Sequence, residues 1–97
     1  GKKQVFVQDK GNKIYLFSTS GEKLWEKQIK ERIMGGVSQI DFYKNKKLQL
    51  LFNTENKLYI IDRLGWFVKD FPISLPVKTT NPYILKIFPI FILLTTT

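Results

Sequence analysis

Asn12-Lys13-Ile14-Tyr15-Leu16-Phe17 returns later in the chain as Asn56-Lys57-Leu58-Tyr59-Ile60-Ile61. Each copy is followed at the same distance by a glycine, Gly21 or Gly65, so 44 residues separate every position from its equivalent. A segment that keeps its register over two strands and the turn between them is typical of repeat proteins, in which one supersecondary unit stacks on the next. The sequence therefore predicts two copies of one β-hairpin unit.

Turn residues mark the connection that follows each copy. Ser18 and Gly21 take these places in the first copy, and Asp62 and Gly65 take them in the second. Ser and Asp side chains favour the start of a turn, and Gly supplies positive φ. Short apolar runs between such turns, without sustained helical periodicity, predict strands. We expect them at about residues 3–8, 13–18, 22–29, 37–43, 47–53, 57–62, 66–71, 84–88 and 90–95.

The strands differ in polarity in a way that indicates their place in a sheet. Ile14–Phe17 and Leu58–Ile61 are continuous apolar runs, which require cover on both faces. Leu24–Ile29 contains charged residues, as an outer edge strand does. Two-faced inner strands, a charged outer strand and about four strands per repeat are typical of one blade of a β-propeller. The predicted fold class is all-β, with antiparallel four-stranded blades.

The repeat divides the single all-β domain, residues 1–97, into blades. If the four strands of a blade are lettered A to D from the inside out, residues 3–35 supply strands B, C and D of a partial blade, and residues 36–72 form a complete blade. Residues 84–95 begin a further blade or form an apolar tail. The segment Ile84–Leu94, which contains Pro89, is too short for a membrane span, and two short strands joined at the proline are favoured.

About two blades plus partial strands make an incomplete propeller, since about four to eight blades are needed to protect the sheet edges. The chain begins with Gly1 rather than Met, so we expect the natural protein to be longer. In isolation we expect a homo-oligomer, formed through exposed strand edges or through the apolar tail.

Composition argues against an enzyme. The 97 residues include no Cys and no His, which removes disulfides, most metal sites and the commonest catalytic base. The serines have no His to serve as a base. Asp62 is explained by its turn, and Glu22 and Glu26 are explained by a solvent-exposed strand edge. We therefore predict no catalytic, cofactor-binding or metal-binding residues and no cofactor.

Charge raises a further question about partners. The net charge is +8, from 16 basic and 8 acidic residues, but only two of the basic residues are arginines. The lysines are spread over strand starts and outward positions, where they protect sheet edges. Because base and phosphate readout favours Arg, no nucleic-acid partner is expected, and a basic polyanion-binding surface remains the second alternative.

The two copies also resemble a known repeat, that of the quinoprotein-like (PQQ-like) β-propellers, which are similar to WD40 propellers in architecture. The matching residues are Tyr15, Gly21 and Trp25 in the first copy and Tyr59, Asp62 and Gly65 in the second. Asn12 and Asn56 stand where the family often has Gly, and Asn tolerates the left-handed region. Ser18 replaces an Asp, and Lys69 occupies the second copy's Trp position.

This resemblance implies a non-enzymatic scaffold. Family members that bind the quinone have a vicinal cysteine pair, calcium ligands and a catalytic Asp, none of which can be assigned to this chain. The chain looks more like the branch that acts as a docking scaffold, often outside the cytoplasm, with a protein partner. The alternative is a fragment of a propeller enzyme whose active site lies outside this chain. The repeated aromatic residues Tyr15, Trp25 and Tyr59 are expected to pack between blades.

Overall fold

A computed structural model describes residues 3–75, 83–87 and 92–96, and regular structure in these parts is entirely β-strand. The all-β prediction is therefore confirmed for the described residues. The strands are β1 (Gln4–Gln8), β2 (Lys13–Ser18), β3 (Lys23–Gln28), β4 (Met34–Ile40), β5 (Gln49–Asn53), β6 (Lys57–Ile61), β7 (Ile73–Ser74), β8 (Tyr83–Ile87) and β9 (Ile92–Thr96).

Antiparallel neighbours along the chain pair with each other. Sheet A has the order β1-β2-β3, and sheet B has the order β4-β5-β6-β7. β8 and β9 pair as a separate two-stranded sheet, which confirms two strands in the apolar segment, while Pro89 lies outside the described residues. No helix in the described part of the chain has the length and apolar character needed to cross a bilayer.

The turn that follows each repeated strand has the same geometry in both copies. Gly21 N donates to Ser18 O at 3.0 Å, and Gly65 N donates to Asp62 O at 3.0 Å. The two glycines have φ values of 89° and 93°. The side-chain oxygen of Ser18 or Asp62 accepts the N–H four residues further on, at 3.2 and 3.0 Å respectively. Ser therefore performs in the first copy what Asp performs in the second.

Two of the predicted strands lie elsewhere. The strand expected at 37–43 is β4, Met34–Ile40, because the Asp41 carboxylate accepts the N–H groups of Asn45 and Lys46 at 2.9 Å and closes a turn there. The prediction of a strand at 66–71 is wrong. Within that range a lone bridge joins Phe67 to Ile61, and the chain then turns at Asp70, whose φ is 75°.

The fourth strand of sheet B is consequently β7, which pairs with the start of β6. A hydrogen bond of 2.9 Å from Phe71 N to Val68 O holds the preceding turn. The equivalent outer strand of sheet A, β3, runs on with one register shift beside Leu16 and Phe17. The two copies thus share their inner hairpin and differ in their outer strand.

Sheet A stacks on sheet B head to tail. We call the face that carries Ile14 and Leu16, or their equivalents Leu58 and Ile60, the front face of each sheet. Ile14 and Leu16 pack with Tyr59 and Ile61 of sheet B in one core cluster, whereas Leu58 and Ile60 belong to a second cluster. The front face of sheet A therefore covers the rear face of sheet B.

Burial follows from this stacking. Every residue of β5 and all but the first of β6 are buried, as expected for strands covered on both faces. In β2, however, Ile14 and Leu16 are buried while Tyr15 and Phe17 are half-buried. The expectation of two covered faces is thus met in sheet B and only half met in sheet A.

Polar side chains fasten the linker between the sheets. Gln8 in β1 donates to Glu31 O and accepts from Ile33 N, both at 2.9 Å. The Glu31 carboxylate accepts from Thr54 Oγ1 at 2.5 Å and from Asn56 Nδ2 at 2.6 Å, in the loop between β5 and β6. The linker therefore connects the end of β1 in the first repeat to the β5–β6 loop of the second.

Candidate protein-interaction surface

The contact between Trp25 and Gly65 shows how one repeat holds the next. Trp25, in β3, has 9% of its surface exposed and lies against the turn that contains Gly65. A Cβ built on Gly65 would lie 2.8 Å from the indole Cγ, so a side chain at this position would displace the ring. The absence of a side chain at Gly65 makes room for the indole.

Aromatic rings and a cation extend this contact. Phe6 of sheet A packs edge-on against Trp25, with ring centroids 6.3 Å apart, and lies 5.8 Å from the ring of Phe52 in sheet B. The Lys27 ammonium lies 4.4 Å from the ring centre of Phe67 and 5.6 Å from that of Trp66. Cation–π attraction of this kind contributes about 0.5–1 kcal/mol at exposed sites.

The rear face of sheet A presents the same repeat positions to solvent. Val5 and Val7 are 49% and 37% exposed, and they pair across the sheet with Phe17 and Tyr15 respectively. The rings of Tyr15 and Phe17 stack with centroids 5.9 Å apart and an interplanar angle of 17°. These four side chains form an apolar patch, and we call it the rear patch.

Gly21 lies at one end of this face in the position that Gly65 has in sheet B. A Cβ built on Gly21 would meet no atom within 4 Å, and its φ of 89° nearly equals that of Gly65. The cradle that receives Trp25 in sheet B thus has an open counterpart in sheet A.

Charged groups surround the rear patch. Tyr15 Oη donates to Asp9 Oδ2 at 2.7 Å, and this bond lowers the pKa of the Asp9 carboxyl and raises the pKa of Tyr15. Glu26 forms salt bridges with Lys13 and, at 2.5 Å, with Lys23. The bond to Lys13 lowers the pKa of Glu26 and raises that of Lys13. An apolar centre with a polar rim is the usual anatomy of a protein interface.

The residues singled out from the repeat have unequal roles. Trp25 and Gly65 meet directly, Tyr59 packs in the same core cluster, and Asp62 holds the turn beside them. Tyr59 is 3% exposed and stacks on Phe52 with centroids 4.9 Å apart.

The two repeated asparagines use their side chains differently. Asn12 has a left-handed φ of 69° and donates to Lys30 O at 3.3 Å. Asn56 instead donates to the Glu31 carboxylate. Asn12 therefore adopts the left-handed conformation that was expected to be tolerated at this position.

Sequence reasoning missed the roles of Asp9 and Glu31. Asp9 Oδ1 accepts the N–H groups of Gly11 and Lys13 at 2.9 and 3.0 Å, and the Asp9-Lys10-Gly11 sequence is a turn signal that could have indicated this. Glu31 lies in a linker of mixed polarity, where no pattern marks its partners.

Within residues 3–75 and the two later strands, no three His, Cys, Asp or Glu residues cluster in a way that could hold a metal ion. No protein-family model matches the chain, and no curated protein or solved structure shows significant similarity to it. The class that the fold defines is therefore an all-β protein built from two stacked antiparallel sheets.

Proposed function

We propose that this chain is a non-catalytic β-propeller repeat segment that acts as a scaffold for protein binding. The head-to-tail stack is the observation that carries the proposal. The rear face of sheet B is covered by sheet A, whereas the rear face of sheet A, built from the same repeat, is open to solvent. Antiparallel sheets of three and four strands that stack in one sense support a propeller, in which each blade covers the next.

The contacts between the repeats support the resemblance to PQQ-like propellers. Trp25 and Gly65 occupy family-like positions and touch each other across the two sheets. Two aromatic side chains of the repeat, Trp25 and Tyr59, are buried between the sheets, where they cannot stack on a ligand. Together with a composition free of His and Cys, this favours a scaffold over an enzyme.

The rear patch and the cradle at Gly21 favour one kind of partner. The matching occupant is a β-sheet whose front face presents an aromatic side chain at the position that Trp25 has in sheet A. That side chain would lie against Gly21, and the remainder of the face would cover Val5, Val7, Tyr15 and Phe17. Buried aromatic anchors of this kind contribute much of the binding energy of stable interfaces.

A tandem chain tests the proposal. A second copy of residues 3–46 placed directly before Lys3 keeps the 44-residue period and supplies a complete preceding repeat. We expect a single cooperative unfolding transition with a higher Tm, because the added Trp25 equivalent covers Gly21. The matched control carries Ala at the added Trp25 equivalent and should lose most of the gain. Separate unfolding of the added repeat, with the original Tm unchanged, would reject the proposal.

Two alternatives from the sequence stay predictions. A polyanion-binding surface predicts salt-sensitive binding to heparin or single-stranded DNA. A propeller-enzyme fragment predicts acidic or Cys residues that converge on a central funnel in the full reading frame. In the described structure Lys13 and Lys23 pair with Glu26, and Lys27 covers two rings, so these lysines already have partners within the chain.

A further inference from the structure

Strand β1 has one hydrogen-bonding edge that pairs with no other described strand, and we call it the free edge. On its other side β1 pairs with β2. Asp9 N donates to Lys13 O at 2.9 Å, which makes these residues a hydrogen-bonded pair that extends the β1–β2 ladder. Because such pairs alternate along an antiparallel ladder, the backbone N–H and C=O groups of Gln4, Phe6 and Gln8 point toward the free edge.

The other edges of the two stacked sheets are protected. β3 carries Lys23, Glu26 and Lys27, β4 is interrupted by a register shift, and β7 has two residues. These are the devices by which proteins prevent unwanted strand addition. β1 has five residues in unbroken register and contains neither a charge nor a proline. Among these edges, β1 is therefore the one suited to receive a strand.

A depression of about 350 Å³ adjoins this edge on the front side of sheet A. Its lining residues come from β1, the linker and β4: Phe6, Gln8, Ile33, Gly35, Gly36 and Val37. Since β4 forms the opposite wall, sheet B overhangs the edge of β1. The two glycines have no side chains to fill the depression. Its apolar lining, formed by Phe6, Ile33 and Val37, suits an apolar side chain of a ligand.

We propose that β1 accepts an extended segment of a partner protein as a fourth, antiparallel strand of sheet A. One apolar side chain of this segment enters the depression between Phe6 and Val37, and main-chain hydrogen bonds to Gln4, Phe6 and Gln8 provide affinity. In sheet B the corresponding edge of β5 is already paired with β4. This equivalence rests on the proposed function, because it treats the two sheets as copies of one blade.

Because sheet B overhangs the free edge of β1, the occupant that fits there is a single strand. A second copy of the whole chain, paired through its own β1, would bring its sheet B into the layer that β4 already fills. A lone extended segment carries no second layer and meets no such obstacle. The uncharged edge also favours an uncharged segment, since charges placed there would find no ionic partner on β1.

A synthetic peptide with the sequence of Ile33–Asp41 serves as the probe, because it contains the strand that pairs with β5. We expect it to bind the full chain and to shift backbone amide signals of β1 in heteronuclear NMR spectra. Two further peptides are N-methylated on alternate residues. One should bind roughly tenfold more weakly and the other unchanged, since antiparallel pairing uses alternate N–H groups. Equal affinities for both, or amide shifts outside β1, would overturn the proposal.

Variants of Gln4 provide an independent test. Gln4→Pro removes one outward N–H and should weaken the unmodified peptide about fivefold, whereas Gln4→Ala keeps the N–H and should leave binding unchanged. Thermal unfolding reports whether each variant folds. If Gln4→Pro does not fold, the comparison of the two methylated peptides on the unmodified chain tests the proposal instead. If light scattering detects a dimer of the unliganded chain that Gln4→Pro dissociates, the occupant is a second copy and the proposal is wrong.

The tandem chain separates this inference from the proposed function. Its added β4 equivalent should lie beside β1 and exclude the peptide, so continued binding at the original affinity would contradict the edge assignment. Stacking of the tandem chain without any peptide binding to the original chain would refute the strand proposal and leave the scaffold proposal standing. Peptide binding to the original chain without stacking of the tandem chain would refute the scaffold proposal and support the strand proposal.

Discussion

Trp25 of the first repeat lies against the backbone of Gly65 in the second, and a single added carbon at Gly65 would approach the indole Cγ to 2.8 Å. The equivalent of Gly65, Gly21, has the same backbone conformation and open space around it. This pair of glycines therefore separates the effect of backbone conformation from the effect of packing.

Substitution of Gly65 by Ala should destabilise the fold more than substitution of Gly21 by Ala. Both variants place a Cβ at positive φ, which costs about 1–2 kcal/mol. Gly65→Ala adds a collision with Trp25, and overpacking of this kind costs about 1–3 kcal/mol more. Urea unfolding followed by tryptophan fluorescence measures both variants, and equal losses would show that the Trp25 contact adds no constraint.

The two tryptophans should differ in their effect on stability. Trp25 is 9% exposed and Trp66 is 66% exposed. Trp25→Ala should lower the free energy of unfolding by about 3–5 kcal/mol, as for other buried aromatic residues. Trp66→Ala removes the exposed ring beneath Lys27 and should cost about 1 kcal/mol or less. Calorimetry compares them, and a larger loss for Trp66 would contradict the stacking described here.

Acid should weaken the link between the repeats. Hydrogen bonds from Thr54 and Asn56 lower the pKa of Glu31 below its ordinary value of 4.5. The unfolded chain therefore binds a proton more readily, and stability falls as the pH drops from about 5 through the folded-state pKa.

Glu31→Gln should flatten this pH dependence between about pH 5 and 3, where the unfolded carboxyl titrates. Asp9 and Glu26, whose pKa values are also lowered, should maintain a residual slope of the same sign. Urea unfolding at a series of pH values measures the effect. A variant with the wild-type slope would show that the Glu31 contacts do not persist in solution.

Alkali should destabilise the core through Tyr59. Burial raises the pKa of this phenol, so the contribution of its neutral form is complete below about pH 10 and is lost as the pH rises further. Tyr59→Phe should therefore lose less stability than the wild type between about pH 9 and 11. Unfolding curves at both pH values provide the measurement, and identical losses would indicate that Tyr59 ionises without unfolding.

Self-association remains expected for the isolated chain. Exposed apolar residues on the rear patch and the apolar segment Ile84–Leu94 favour contacts between copies. Light scattering at micromolar concentration should report a mass above that of one chain. A stable monomer under these conditions would show that these apolar residues do not drive association between copies.

The repeat and its turns could be predicted from sequence because they depend on local chemistry. Ser18 or Asp62 followed by a glycine three residues later determines the turn, and the apolar strand before it determines the inner hairpin. The charged outer strand of sheet A could also be predicted from sequence, since Glu26 and Lys27 lie in a strand at a solvent-exposed sheet edge.

Features that depend on distant parts of the chain could not be predicted. Tyr15 and Tyr59 occupy the same repeat position, yet one is half-buried and the other buried, because sheet A covers only the second. The outer strand of sheet B was misplaced since nothing local distinguishes Asp70 in a left-handed turn from Asp in a strand end. The rear patch was likewise hidden, because its exposure is decided by what stacks on it.

Val68 of the second repeat lies opposite Ile60, as Trp25 lies opposite Leu16 in the first, because Val68 N donates to Ile60 O at 2.9 Å. This difference gives the chain a polarity. Sheet A has open space at Gly21 on one side, whereas sheet B has a buried valine where sheet A has its indole. Copies stacked end to end would place no indole against Gly21, so open-ended fibre growth by this route is suppressed.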